Sequence, residues 1–141
     1  MPNRKNKVII DTNLWISFLL TKDLSKFDTI IADKKLILVF SEELVEEFLE
    51  VTQRSKFRKY FAVDDIEDLL LKIRNRATFI NVKSNIIACR DLKDNFLLSL
   101  AVDGQATHLI TGDKDLLVLG KFAQTKILTI HEYLADQRIK K

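Results

Sequence analysis

Short aliphatic runs alternate along the chain with longer stretches in which apolar residues recur three and four positions apart. Val8–Ile10, Ile37–Phe40, Phe79–Val82, Leu109–Thr111 and Ile127–Thr129 are rich in aliphatic, often β-branched residues, the pattern of buried strands. Helical spacing is found over Leu14–Leu20, Leu24–Ala32, Glu42–Thr52, Ile66–Arg74, Asn95–Val102 and Asp115–Leu119, with a last helix near Glu132–Ala135. Such alternation predicts an α/β fold with a central parallel sheet of about five strands and helices on both faces, because each parallel pair needs a crossover connection. Ligands in sheets of this kind bind beyond the carboxyl ends of the strands, so the residues that follow each strand carry the functional information.

Composition narrows the class. The 141 residues are 47% hydrophobic and 30% charged, with three glycines and one proline, which excludes collagen, low-complexity linkers and most disorder. No repeat or linker divides the chain, so residues 1–141 are read as one domain. Cys89 is the sole cysteine, which leaves no intramolecular disulfide, argues against a cysteine zinc site and fits a reducing compartment. The basic start (Arg4, Lys5, Lys7) leads only into Val8-Ile9-Ile10 before Asp11, too short for a signal-peptide core, and no apolar run approaches the roughly 20 residues of a membrane span. A soluble, cytoplasmic protein is expected. The net charge of +3 permits nucleic-acid binding without demanding it.

The chemistry lies in the acidic residues. Asp11-Thr12-Asn13 directly follows the first strand, and Thr111-Gly112-Asp113-Lys114-Asp115 ends and follows the fourth. Asp11 and Asp113 can be helix N-caps, a role Asp favours, or they can be ligands at one rim of the sheet. Asp94 stands at the head of the apolar stripe formed by Leu97, Leu98 and Ala101, which turns its carboxylate inward; capping is the competing role. Asp91 is read as a turn or supporting residue. On the third helix, capped by Ser41, Glu43, Glu46 and Glu50 fall on the solvated face, whereas Glu47 lies beside Val51 at the edge of the apolar arc. Gathering Asp11, Glu47, Asp94 and Asp113 at one rim is costly without a counter-charge, since two carboxylates about 5 Å apart repel by roughly 3 kcal/mol at an effective dielectric of about 20. A hard cation removes that cost, and an all-oxygen ligand set suits Mg²⁺ or Mn²⁺. The reaction such a site serves is phosphodiester hydrolysis by water activated on the metal, with no side-chain nucleophile.

These segments resemble the PIN-domain nucleases, in particular the VapC-like toxins of prokaryotic toxin–antitoxin pairs. The similarity runs through the strand ending in Asp11-Thr12-Asn13, then Ser41-Glu42-Glu43-Leu44-Val45-Glu46-Glu47-Phe48, then Asp91-Leu92-Lys93-Asp94-Asn95, then Thr111-Gly112-Asp113-Lys114-Asp115-Leu116-Leu117. The resemblance implies acidic metal ligands at Asp11, Glu47, Asp94 and Asp113, an auxiliary carboxylate at Asp115, and polar supports at Asn13 and Thr111. It further implies a three-layer sandwich, Mg²⁺- or Mn²⁺-dependent endoribonuclease activity, homodimerisation and inhibition by a protein antitoxin. A housekeeping RNA-processing nuclease and a non-catalytic PIN-like module that binds RNA or protein are the alternatives.

Other constellations are weaker. A phosphoacceptor receiver domain needs an acidic pair after the first strand and a lysine after the last; a dehalogenase-like phosphatase needs an acid where Asn13 stands. Two histidines, His108 and His131, are too few for a histidine zinc site. Cys89 reads as a small buried residue, and Trp15, spaced with Phe18 and Leu19, as core or interface. Arg54, Lys56, Arg58 and Lys59 interleave with Phe57, Tyr60 and Phe61, which suits either a path for an RNA backbone or a solvated helix whose aromatics pack.

Overall fold

The computed structural model describes residues 5–21, 25–54 and 58–139. Strand β1 (Asn6–Ile10) leads into helix α1 (Thr12–Thr21), and α2 (Ser25–Ala32) precedes β2 (Leu36–Phe40). Helices α3 (Glu42–Gln53) and α4 (Val63–Arg76) separate β2 from β3 (Ala77–Phe79), and α5 (Leu92–Asp103) separates β3 from β4 (His108–Ile110). The chain then forms α6 (Lys114–Leu117), β5 (Lys121–Phe122), β6 (Thr125–Leu128) and α7 (Ile130–Ile139). Leu24, the expected start of the second helix, lies outside the described residues.

The sheet has six strands in the order β3-β2-β1-β4-β6-β5 and is parallel throughout except for β5, which runs antiparallel to β6. Strand β1 pairs on both sides, Val8 lying beside Leu38 of β2 and beside His108 of β4, and Val8, Ile9 and Ile10 are sealed from solvent. The expected α/β class with its central, mostly parallel sheet is therefore the one observed. The sixth strand goes beyond the expected five: Lys121–Phe122 is too short to generate a periodic signal and exists as one arm of a tight hairpin turned at Ala123, whose φ is 52°.

Two boundaries differ instructively from the sequence pattern. The third strand spans Ala77–Phe79 rather than Phe79–Val82, because its neighbour β2 ends at Phe40, and Ile80 N donating to Phe40 O at 2.9 Å is the last backbone bond between them. The last helix is longer than the pattern indicates, since Thr129 and Glu132 form a reciprocal capping box: Thr129 N donates to Glu132 Oε1 at 2.9 Å and Glu132 N to Thr129 Oγ1 at 3.1 Å.

The core gathers on the sheet around β1, β2 and β4. Trp15 of α1 is wholly buried, stands edge-on to Phe18 with centroids 6.1 Å apart, and donates its indole N–H to Ile10 O at 3.1 Å. This residue is core, and its hydrogen bond fixes the carboxyl end of β1 immediately before Asp11. His108 is likewise structural, packed edge to face on buried Tyr133 at 5.0 Å. Among the described residues no helix is long and apolar enough to cross a membrane.

Candidate metal centre

Parallel strands end on one rim, and four elements deliver acids to it. Asp11 leaves β1, Asp113 and Asp115 follow β4, Glu47 projects from the second turn of α3, and Asp94 lies in the first turn of α5. Asp11 and Asp94 are buried, at 7% and 4% exposure, in spite of their charge.

Capping and site membership turn out to be compatible. Asp11 Oδ1 accepts from Asn13 N at 3.2 Å and Asp113 Oδ1 from Asp115 N at 2.8 Å, so each carboxylate caps a helix with one oxygen. Asp11 Oδ2 accepts from the Thr111 hydroxyl at 2.8 Å, and Thr111 Oγ1 in turn accepts from Asp113 N at 3.0 Å. Buried Thr111 thus connects the acid after β1 to the acid after β4. Asn13 supports Asp11 through its backbone amide, while its own side chain faces solvent. For α5 the two candidate caps separate: Asp91 is the N-cap, accepting from Lys93 N at 2.8 Å, which leaves Asp94 free to turn inward.

Asp94 Oδ2 is buried and has no hydrogen-bond partner. Oxygens of Asp94, Asp113 and Asp115 all lie within 4.8 Å of one another, a spacing that can hold a metal ion. Three clustered carboxylates, one of them with a buried oxygen lacking a hydrogen-bond partner, form a donor set that suits a hard divalent cation. Asp11 and Glu47 fall outside this tight triad and join it electrostatically, Glu47 sensing Asp11, and Asp11 sensing Asp113.

The protonation equilibria point the same way. Burial pushes Asp94 up to about 7, and the adjacent Asp113, which can hydrogen-bond it only when one of the two is protonated, adds to the shift. Burial also raises Asp11, against the opposing bonds from Thr111 and Asn13, and raises Glu47 against the attraction of Lys93. Each native carboxyl therefore holds its proton more tightly than in the unfolded chain. For Asp94 the stability this confers is complete below the unfolded value near 4 and is lost as pH rises through the folded value near 7, and Asp11 and Glu47 contribute in the same direction. The metal-free protein should melt at a higher temperature near pH 5.5 than near pH 8, and saturating Mn²⁺ should flatten or reverse that slope, because binding demands ionised carboxylates. Calorimetry in EDTA and in Mn²⁺ checks both halves of the expectation.

Several contacts at this rim carry no signal in the linear sequence. Lys93 Nζ lies 3.5 Å from Glu47 Oε1, and Arg90 Nη2 lies 3.4 Å from Asp115 Oδ2. Asn95, next to Asp94, is buried and clasps the preceding loop: its Oδ1 accepts from Ala88 N and Cys89 N at 3.0 and 2.7 Å, and its Nδ2 donates to Cys89 O at 2.9 Å. Ser99 Oγ accepts from Ile86 N, and the Asp103 carboxylate from Lys83 N, Ser84 N and the Ser84 hydroxyl. The spacing 95, 99, 103 places one polar stripe along α5, a pattern visible in retrospect, that replaces a neighbouring strand for residues 83–89. Cys89 is partly exposed on this loop rather than buried as expected, because backbone bonding to Asn95 and not side-chain burial holds the segment. Burial and the surrounding acids keep its thiol pKa raised.

Of the basic stretch, Arg54 is exposed and lies 3.6 Å from Glu50, Arg58 and Lys59 are exposed, and Lys59 Nζ sits 5.3 Å from the centre of the exposed Tyr60 ring. Phe61 packs partly against the core, while Lys56 and Phe57 lie outside the described residues.

A mostly parallel α/β sheet with carboxylates converging beyond its strand ends is an arrangement that can hold a divalent metal and suits phosphodiester chemistry. Residues 7–115 match the PIN domain, a span that contains all five acids, and the chain belongs to the PIN domain family. The chain is also similar to an uncharacterized protein of Methanocaldococcus jannaschii, 33% identical over 122 residues that cover 84% of this chain and 78% of the relative. PIN domains are generally nucleases, and the acidic cluster here fits that chemistry.

Proposed function

We propose that this protein, read as one PIN unit over residues 1–141, is a Mg²⁺- or Mn²⁺-dependent endoribonuclease. The observation that carries the reading is the clustering of Asp94, which has a buried, unpartnered oxygen, with two further carboxylates in a chain of the PIN family. When bound, the divalent cation supplies Lewis acidity and a readily deprotonated water for attack on a phosphodiester. Asp94, Asp113 and Asp115 would hold it, with Asp11, oriented from both sides by the Thr111 hydroxyl and the Asn13 amide, beside them. Asp115 is more open, its side chain 49% exposed, and forms the solvent-facing edge of this ligand set. Glu47, half-buried and paired with Lys93, would complete the acidic ligand set from α3. Exposed Arg54, Arg58 and Lys59, together with Lys56, would extend the path of a single-stranded RNA.

The resemblance to VapC-like toxins supports a more specific role: the toxin of a toxin–antitoxin pair, acting in the cytoplasm as a homodimer and silenced by a protein antitoxin. An antitoxin could do so by offering an arginine or lysine to the acids.

The biochemical reading is tested by thermal denaturation with Mn²⁺ or Mg²⁺ and by incubation with a looped RNA. Mn²⁺ at a hundredfold its Kd should stabilise the fold by about 2.7 kcal/mol. Cleavage should fall at exposed single-stranded positions and vanish in excess EDTA. Full activity in EDTA, or no metal-induced shift, overturns the assignment.

A further inference from the structure

The acidic rim is already in contact with two cations of its own. Lys93 and Arg90 flank the N-cap of α5 and reach acids on two different elements, Glu47 on α3 and Asp115 at the start of α6. Both pairs are long and both cations are open to water, with side chains 55% and 90% exposed for Lys93 and Arg90 against 26% and 49% for Glu47 and Asp115. Exposed ion pairs of this kind are worth at most about 1 kcal/mol, so either cation can leave its acid at little cost. Five carboxylates surround the site, and a divalent cation neutralises only part of their charge. A polyanionic substrate approaching that rim needs positive groups beside the metal, and these two side chains are the ones the described structure places against the acids.

We propose that Arg90 and Lys93 exchange partners during function, neutralising Asp115 and Glu47 before metal loading and then contacting phosphates of the RNA on either side of the scissile bond. The assignment rests on the nuclease reading above and adds to it the residues that receive the substrate backbone. It has a consequence that a passive surface salt bridge does not share. Deleting these cations should move two affinities in opposite directions, because each competes with the metal for a carboxylate and cooperates with it in holding RNA.

The test uses the whole chain with Arg90→Ala, Lys93→Ala and the double variant. Lys126→Ala is the matched control: Lys126 is also 55% exposed and 3.5 Å from an acid, Asp136, but it pairs across from His108 at the opposite end of β4. Mn²⁺ binding is read by thermal shift. RNA binding is read by anisotropy of a labelled single-stranded oligonucleotide in Ca²⁺ over a salt series, with the oligonucleotide verified intact afterwards. Each single variant should bind Mn²⁺ up to about fivefold tighter. The double variant should bind RNA more weakly, with a salt slope shallower by about 0.7 for each phosphate that is no longer neutralised. The control should leave both unchanged. Unaltered RNA affinity and salt slope in the double variant, or Mn²⁺ affinity that is unchanged or weakened, overturns the exchange while the nuclease reading stands. Absence of RNA binding by the wild-type protein overturns both.

Discussion

Replacing Asp94 by Asn should reduce metal-dependent RNA cleavage by at least about 100-fold and, in the same preparation, raise the melting temperature of the metal-free protein. The two effects share one cause. Asp94 Oδ2 is buried without a hydrogen-bond partner beside Asp113, so the apo fold tolerates a carboxylate whose desolvation nothing offsets. Asn has nearly the same shape, carries no charge, and offers an N–H₂ group to the Asp113 carboxylate. Relief of an unsatisfied buried group is worth on the order of 1 kcal/mol or more, in the stabilising direction. Loss of a ligand acts in the other sense and removes most of the Mn²⁺-induced shift. Stability traded for function in this way is characteristic of a site. The corresponding change at Asp103, whose oxygens are all engaged by residues 83–84, is expected to destabilise. Undiminished cleavage by the Asp94→Asn protein would falsify the role given to Asp94, and a lowered apo melting temperature would reassign it to the architecture.

How much of the molecule is legible in its residues alone depends on the range over which each feature acts. Strands β1, β2 and β4 announce themselves because their buried positions are mostly aliphatic, as in Val8-Ile9-Ile10 of β1. The acids after β1 and β4 are legible for the same reason, since parallel strands must end at a common rim. Asp94 is ambiguous in the sequence because Asp91 and Asp94 both suit the start of a helix, and only the bond from Lys93 N to Asp91 Oδ1 assigns the cap. Glu47 is recognisable by its position at the edge of the apolar arc of α3, with Glu43, Glu46 and Glu50 on the outer side. The loop over residues 83–89 is invisible, because its order comes from side chains of α5 bonding backbone amides, an arrangement without hydrophobic period. The pairing of Lys93 with Glu47 and of Arg90 with Asp115 is hidden too, because it joins elements distant in the chain.

Induced in a bacterial host without any partner, the wild-type protein is expected to arrest growth, lowering colony counts by orders of magnitude, while Asp11→Asn has no effect. Asp11 is the informative position because its two oxygens already have structural partners, one capping α1 and the other bonding Thr111. Asn retains an acceptor for one of those bonds but lacks the charge a hard cation requires, so the fold should persist while the metal is lost. Soluble yield and melting temperature of the variant verify that persistence. The proposed toxin role adds a second expectation, since an antitoxin would silence this rim by bringing positive charge to acids that the chain's own Lys93 and Arg90 contact only loosely. Co-expression of the product of a neighbouring small gene should therefore restore growth, and that product should co-purify with the wild-type chain. Equal arrest by the Asp11→Asn protein would separate toxicity from the metal centre. A harmless wild-type protein that nevertheless cleaves RNA in Mn²⁺ would instead favour a housekeeping nuclease, because the chemistry of the rim would then be intact and only its biological target different.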